Sequence, residues 1–307
     1  MAGAALVAAL AVVSVFIGVA ELDALVLLAS RIPRTVALIL VGVSMSVTGL
    51  LMQVLTRNRF VEPSTTGASD AATLALLFVL VLQPGMPIWA KAIVTTLGAA
   101  IGVAGFLGLA RRIPVRSSVL VPVVGLMYAG VIAATSTFLA YRVDLLQELN
   151  SWALGDLSSI LRGRYELLYL AAAAALIAWI AADRFTIAGL GSDTARGLGL
   201  NARATFVLGV AIVALVTGIT TVTTGVIPFL GLIVPNIASR LVGDNMRRTV
   251  PLVAMIGAAM VLACDIVGRL VNFPYEIPLG VVMGILGSVV FLALLLRSPS
   301  SKAVARG

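Results

Sequence analysis

The stretch VIPFLGLIVPNIASRLVGDNMRR, residues 226–248, is apolar enough to enter a bilayer, yet Pro228, Gly231, Pro235 and Asn236 interrupt it. Arg240, Arg247 and Arg248 then close it with positive charge. A proline inside a helix lacks an N–H and frees the carbonyl one turn earlier. In hydrocarbon that carbonyl must be satisfied by protein or by water. The segment therefore belongs inside a bundle or beside a wet cavity, not against lipid. Asn236 is placed to satisfy freed backbone groups, and Gly243-Asp244-Asn245 is a turn signal in the basic tail.

The rest of the chain has the same character. Of its 307 residues, 61% are hydrophobic and 11% charged, against roughly 25% charged in a soluble domain; mean hydropathy is +1.13. Apolar runs cover 4–20, 35–55, 66–83, 88–110, 118–141, 165–182, 204–224, 229–242, 250–271 and 279–297. Several reach the roughly 18–20 residues that cross a bilayer, and 229–242 is too short for an ordinary span. The first run lacks a basic n-region, so it reads as a membrane span and not as a cleaved signal. The reading is an all-α, polytopic membrane protein forming one domain over 1–307.

The net charge of +8 is not a nucleic-acid footprint, because the basic residues lie between apolar runs. With the N-terminus inside, seven of the 21 Lys and Arg fall outside: Arg31, Arg34, Lys91, Arg142, Arg162, Arg164 and Arg269. The other fourteen fall inside, which predicts cytoplasmic termini. There is no histidine and one cysteine, Cys264, so no intrachain disulfide forms and the commonest proton relay and metal ligand are missing. No phosphate loop of the G-x-x-x-x-G-K-[ST] type and no catalytic constellation occurs. Hydrolysis of ATP would have to come from another chain.

Three further features stand out. Small residues four apart, Gly42/Ser46, Gly98/Gly102 and Gly280/Gly284, permit close helix contact. The segment 183–203, DRFTIAGLGSDTARGLGLNAR, reads as short helical pieces joined by glycines, with Ser192 and Asn201 as caps and Gly197 or Gly199 as a stop. That is a compact platform suited to a soluble partner, or a plain surface loop. Asp265 and Arg269 lie four apart near the end of a span, which predicts an internal salt bridge; with Arg31 and Arg34, Arg269 is also a candidate to meet carboxylates of an extracytoplasmic protein.

The run RIPRTVALILVGVSMSVTGLLMQVLTRNRFVEPSTTGASDAA resembles the second and third spans of the iron–siderophore and cobalamin ABC-importer permeases. The run from Gly225 to Arg297 resembles their last three spans. The resemblance implies the type II importer fold: ten helices, a second permease subunit (identical or paralogous), two ATPase subunits that bind the ATP, and an extracytoplasmic binding protein. It implies no catalytic, cofactor or metal residues in this chain. Ala195, Leu198 and Gly199 match the segment that docks into the ATPase, a role extended to Ser192, Arg196 and Arg203. Arg31, Arg34 and Arg269 match outward arginines that pair with the binding protein, and Glu276, Pro278 and Gly280 match a Glu-x-Pro-x-Gly signature of structural role. The fifth span would line the pathway with Met127, Tyr128, Thr135, Ser136 and Thr137, unless these serve ordinary packing with hydroxyls bonded to i−4 carbonyls.

Two departures, Asn236 in place of histidine and PSTTGASD in place of a Gly-rich turn, resemble the subgroup importing catecholate or mixed catecholate–citrate siderophores such as petrobactin and anguibactin. The expected cargo is a ferric siderophore, with cobalamin or haem as alternatives. An ion-coupled secondary transporter is disfavoured, since Asp70 and Asp265 are the only carboxylates well inside an apolar run, and Asp265 has an arginine nearby.

Overall fold

A computed structural model of the chain describes residues 2–18, 23–112, 120–158 and 160–296. Arg116, Arg297, Lys302 and Arg306, counted among the basic residues of the inner side, lie outside the described residues. Every regular element among the described residues is helical.

The helices are α1 (Ala2–Phe16) and α2, continuous over Ala24–Thr56 with a π-helical turn at Leu27–Arg31. Then follow α3 (Ala68–Leu82), α4 (Ile88–Ala110), α5 (Leu120–Arg142) and the short α6 (Leu146–Ala153). Next come α7 (Leu168–Ile180), α8 (Ala182–Gly189), α9 (Ser192–Gly197) and α10 (Ala202–Thr224). The chain closes with α11 (Leu230–Val242), α12 (Met246–Leu270) and α13 (Leu279–Leu296). By length and composition α2, α4, α5, α10 and α12 can each cross a membrane. The pair α7–α8, bent by 64°, makes a sixth when counted as one span, and α1, α3, α11 and α13 are shorter apolar helices. Together these coincide with the ten apolar runs of the sequence.

Helix α2 is the axis of the bundle. Its face from Ala37 to Gln53 is almost wholly buried and packs against α12, α11, α10 and α7. Small residues make that approach possible. A Cβ on Gly42 would lie 2.7 Å from the Gly257 carbonyl oxygen of α12, and one on Gly49 would lie 2.1 Å from the Gly231 carbonyl oxygen of α11. Gly98 and Gly102 of α4 do the same against Ala71 and Gly67. Gly280 touches the Leu154 carbonyl, whereas Gly284 meets only Pro228 at 3.9 Å.

The broken segment lies inside the bundle, as its prolines demand. Pro235 sits within α11 and cannot donate to the Gly231 carbonyl. Gln53 of α2 donates instead, with Nε2 at 3.3 Å from the Gly231 oxygen and 3.4 Å from that of Leu232. Asn236 Nδ2 donates to the carbonyls of Leu232 and Arg59, at 2.7 and 2.8 Å.

Replacing Gln53 by Leu strands a buried carbonyl, and the expected loss is about 1–3 kcal/mol, read as unfolding in detergent. Pro235→Ala in the same chain returns an N–H to that carbonyl and recovers most of the loss. A double variant no more stable than Gln53→Leu would break this account.

Candidate functional site

The α8–α9 region forms the platform read from the sequence. The bend at Ala181 turns α8 away from α7, and Ala182 and Phe185 are buried against the bundle. Gly191, at φ 122°, opens α9, so Ser192 stands in the helix's first turn and the cap lies one residue earlier than expected; the Ser192 side chain lies outside the described residues. Gly199, at φ 77°, ends the helix, with Leu200 N donating to the Ala195 carbonyl at 2.9 Å. Asn201 caps α10 by accepting from Ala204 N at 3.0 Å.

Ala195 is fully buried and fastens α9 to the bundle. Leu190 and Leu198 are 64% and 62% exposed, and Arg196 and Arg203 are also exposed. Two apolar side chains thus stand exposed beside positive charge. Between this platform, the end of α2 and the α11–α12 turn lies a cleft of about 430 Å³ containing Arg57, Arg59 and Asp244. Arg59 and Asp244 pair at 2.7 Å in the open.

Glu62 escaped the sequence reading. It is 1% exposed; its Oε1 accepts from Phe229 N at 2.8 Å and from Ser64 Oγ at 2.5 Å. The carboxylate thereby closes the N-terminus of α11, where unpaired N–H groups and the helix dipole favour an anion. Its sequence signal was the E-P-S-T run, a capping box in which Thr65 Oγ1 also accepts from Glu62 N at 3.2 Å.

At the opposite end of the bundle the three arginines expected to face outward are turned inward. Arg31 is 8% exposed and donates to the carbonyls of Val15 and Phe16, both at 3.2 Å. Arg269 is 6% exposed, pairs with Asp265 and donates to the carbonyls of Ser14 and Ile17. Arg34 bridges Asp265 at 2.8 Å and Glu276 at 2.7 Å. The expected Asp265–Arg269 pair is present and extends to four residues. The physical reason for the inward turn is that Asp265 and four helix-end carbonyls of α1 offer acceptors that water would otherwise supply.

The α5 residues divide between two faces. Met127 is 68% exposed and Thr135 and Thr137 are exposed, while Ser136 is buried and Tyr128 half-buried against Gly67 and Gly105. The three hydroxyls donate to the carbonyls of Val131, Ile132 and Ala133, each one turn back. Ser136 and Tyr128 therefore belong to helix packing in this chain. A separate cleft of about 460 Å³, near the C-terminus of α10, is lined by Lys91, Trp152, Asp156, Arg164 and Thr221 among others. Among the described residues no group of three or more Cys, Asp or Glu could hold a metal ion.

A model of the FecCD transport family matches residues 1–297. A petrobactin import system permease protein of Bacillus subtilis is 42% identical over 94% of this chain and 95% of the relative. One of Bacillus anthracis is 42% identical over 87% of this chain and 80% of the relative. A ferric-anguibactin transport system permease protein of Vibrio anguillarum is 38% identical over 88% and 86%. Among solved structures, one described as an inward-facing conformation of a metal-chelate type ABC transporter superposes with a TM-score of 0.82. It is 21% identical and covers 97% of this chain and 98% of that one. This likeness establishes the fold, that of a type II ABC importer permease.

Asp265 carries the inner charge cluster, so Asp265→Asn leaves the buried Arg269 without a carboxylate and Arg34 with Glu276 alone, and costs about 3–5 kcal/mol. Asp183→Asn removes an open pair with Arg247 and changes stability by less than about 1 kcal/mol. Paired unfolding curves in detergent check both, and equal losses would contradict the assignment.

Proposed function

Because the chain belongs to the FecCD transport family, we propose that it is the transmembrane permease subunit of an ATP-driven ABC importer, with a ferric siderophore as cargo. The observation that carries the reading is identity of 42% to a petrobactin import permease across nearly all of both chains. A vitamin B12 import permease of Yersinia enterocolitica is 34% identical over 89% of this chain, which supports the shared architecture while favouring the siderophore side of it. The cargo class is a ferric catecholate or mixed catecholate–citrate chelate. This chain is the non-catalytic component, and it works with a second permease subunit, two ATPase subunits and an extracytoplasmic binding protein.

The geometry supports a division of labour between the two ends. The platform end faces the cytoplasm, where Leu190, Leu198, Arg196 and Arg203 meet the ATPase and Gly191 and Gly199 set the shape of α9. The opposite end receives the binding protein above Arg34, the most exposed arginine of the buried cluster, whose side chain is 14% exposed. Carboxylates of that protein compete there with Glu276 for Arg34. The exposed face of α5, with Met127, Thr135 and Thr137, borders the pathway. It carries no fixed charge, which suits a bulky chelate handed over by another protein and released again.

Uptake of radiolabelled iron, presented as a ferric catecholate siderophore, is expected to be lost in cells without this chain, with labelled cobalamin and haem unaffected. Loss of cobalamin or haem uptake instead would keep the architecture and overturn the cargo. Leu198→Asp is expected to weaken recovery of the ATPase with the permease by about tenfold or more while leaving the bundle folded. Arg34→Gln is expected to lower binding-protein affinity most strongly at low salt, with ATPase assembly intact. Unchanged docking at low salt would remove Arg34 from the interface.

A further inference from the structure

Helix α7 contains five successive alanines, 171–175, and where their short side chains face α2 and α12 the packing leaves a trough. Ala172, Ala175, Leu176 and Trp179 form one wall at helical spacing, Val43 and Val47 the floor, and Val250, Pro251 and Ala254 the other wall. The trough holds about 340 Å³. From Ala172 to Trp179 it runs for about 10 Å along the helix. Beside it Leu176, Ile177 and Ile180 are 53%, 48% and 70% exposed, so it opens toward the hydrocarbon.

Its mouth, at the platform end, has a different chemistry. Pro251 lacks the N–H that would serve the Arg247 carbonyl, and Trp179 Nε1 donates to that oxygen at 3.2 Å. The indole is fixed as an amphipathic ring at the end of the trough, the position tryptophan favours at a membrane interface. Arg247 lies on the α12 face that carries Val250, Pro251 and Ala254, with Arg248 next to it and Arg184 on α8; all three are exposed. Asp183, paired with Arg247 at 2.6 Å, is the acid at this rim. Both members of that pair are more than half exposed, so a phosphate can replace the carboxylate at little cost. The helix ends around this mouth thus carry three positive groups, Arg184, Arg247 and Arg248, beside Asp183.

We propose that this trough is a site for one anionic phospholipid of the surrounding membrane, with an acyl chain along the α2–α7–α12 walls and the phosphate among Arg184, Arg247 and Arg248. Apolar length, an interfacial indole and excess positive charge converge at one mouth, and a phospholipid matches all three. The inference rests on the chain crossing a membrane and is independent of the cargo.

The test uses Trp179 as the reporter. Of the three tryptophans, Trp89 and Trp152 are replaced by Phe, and the full chain is reconstituted in vesicles. Quenching of Trp179 by brominated phosphatidylglycerol is compared with quenching by brominated phosphatidylcholine. The expected result is a relative binding constant about fivefold or more in favour of phosphatidylglycerol. It falls to about one in an Arg184→Gln, Arg247→Gln, Arg248→Gln chain. Because Trp179 is held by the backbone carbonyl of residue 247, these changes do not displace the reporter. Ala172→Leu narrows the trough and reduces the preference by a second route that leaves the charges alone. Equal quenching by the two lipids overturns the proposal, as does a preference that survives loss of the three arginines. Absence of quenching by either lipid means that protein covers the trough, and also overturns it.

Discussion

A carbonyl with no donor inside hydrocarbon costs several kcal/mol, and three prolines of this chain each place one there or at its edge. Pro235 frees the Gly231 oxygen, which takes Gln53. Pro251 frees the Arg247 oxygen, which takes the Trp179 indole. Pro33 cannot serve the Ala29 oxygen one turn earlier, which takes Arg162 N at 3.1 Å. In each case the donor belongs to a different segment, so the proline converts an internal helical bond into a bond between elements. Packing of α11 on α2, of α7 on α12, and of the 160–164 loop on α2 all follow from this single requirement. The close glycine contacts are its counterpart: with Gly49 against Gly231, the backbones approach closely enough for a side chain as short as Gln53 to reach.

Charge obeys the same rule at the other end. Arg31, Arg34 and Arg269 are tolerated at low exposure because Asp265, Glu276 and the last carbonyls of α1 surround them. Asp265 serves two guanidinium groups, so it ties α2 to the end of α12. The helix-terminal carbonyls of α1 would otherwise lack donors, and the arginine N–H groups close that end of α1 as a cap does. The cluster is an answer to backbone need as well as to charge, which explains why these guanidinium groups point inward from a surface.

Features governed by nearest neighbours were legible in the sequence. Asn201 caps α10, Gly199 ends α9, Asp265 pairs with Arg269, and Asn236 serves freed backbone groups; each needs only a residue within about one turn. What sequence inspection missed depends on distant partners. Nothing in the chain around residue 53 identifies Gln53 as the donor to a carbonyl 178 positions away, and Glu62 reads as a loop acid until α11 is set against it. The inward turn of the arginines was invisible for the same reason, since their acceptors lie on α1 and α12. On α5 the fault was periodicity: Thr135, Ser136 and Thr137 point to successive sides of the helix, so no pattern separated Ser136 and Tyr128, which pack, from Met127 and Thr135, which do not. The Ser192 cap failed by one residue because Gly191 adopts the positive φ that starts the helix.

The connector 57–67 touches several separate parts of the molecule. It begins with Arg57, whose guanidinium lies beside Gly191 of the platform. It continues through the Arg59 carbonyl, held by Asn236 midway along α11, and through Glu62 at the start of that helix. It ends at Gly67, against the Tyr128 ring of α5. One loop therefore grips α11 at two points and touches both the platform and the helix that borders the open face. A helix gripped twice by the same loop cannot slide along its axis alone. It is set as a strut between the platform and α5, and the chain that holds it runs unbroken from Arg57 to Gly67.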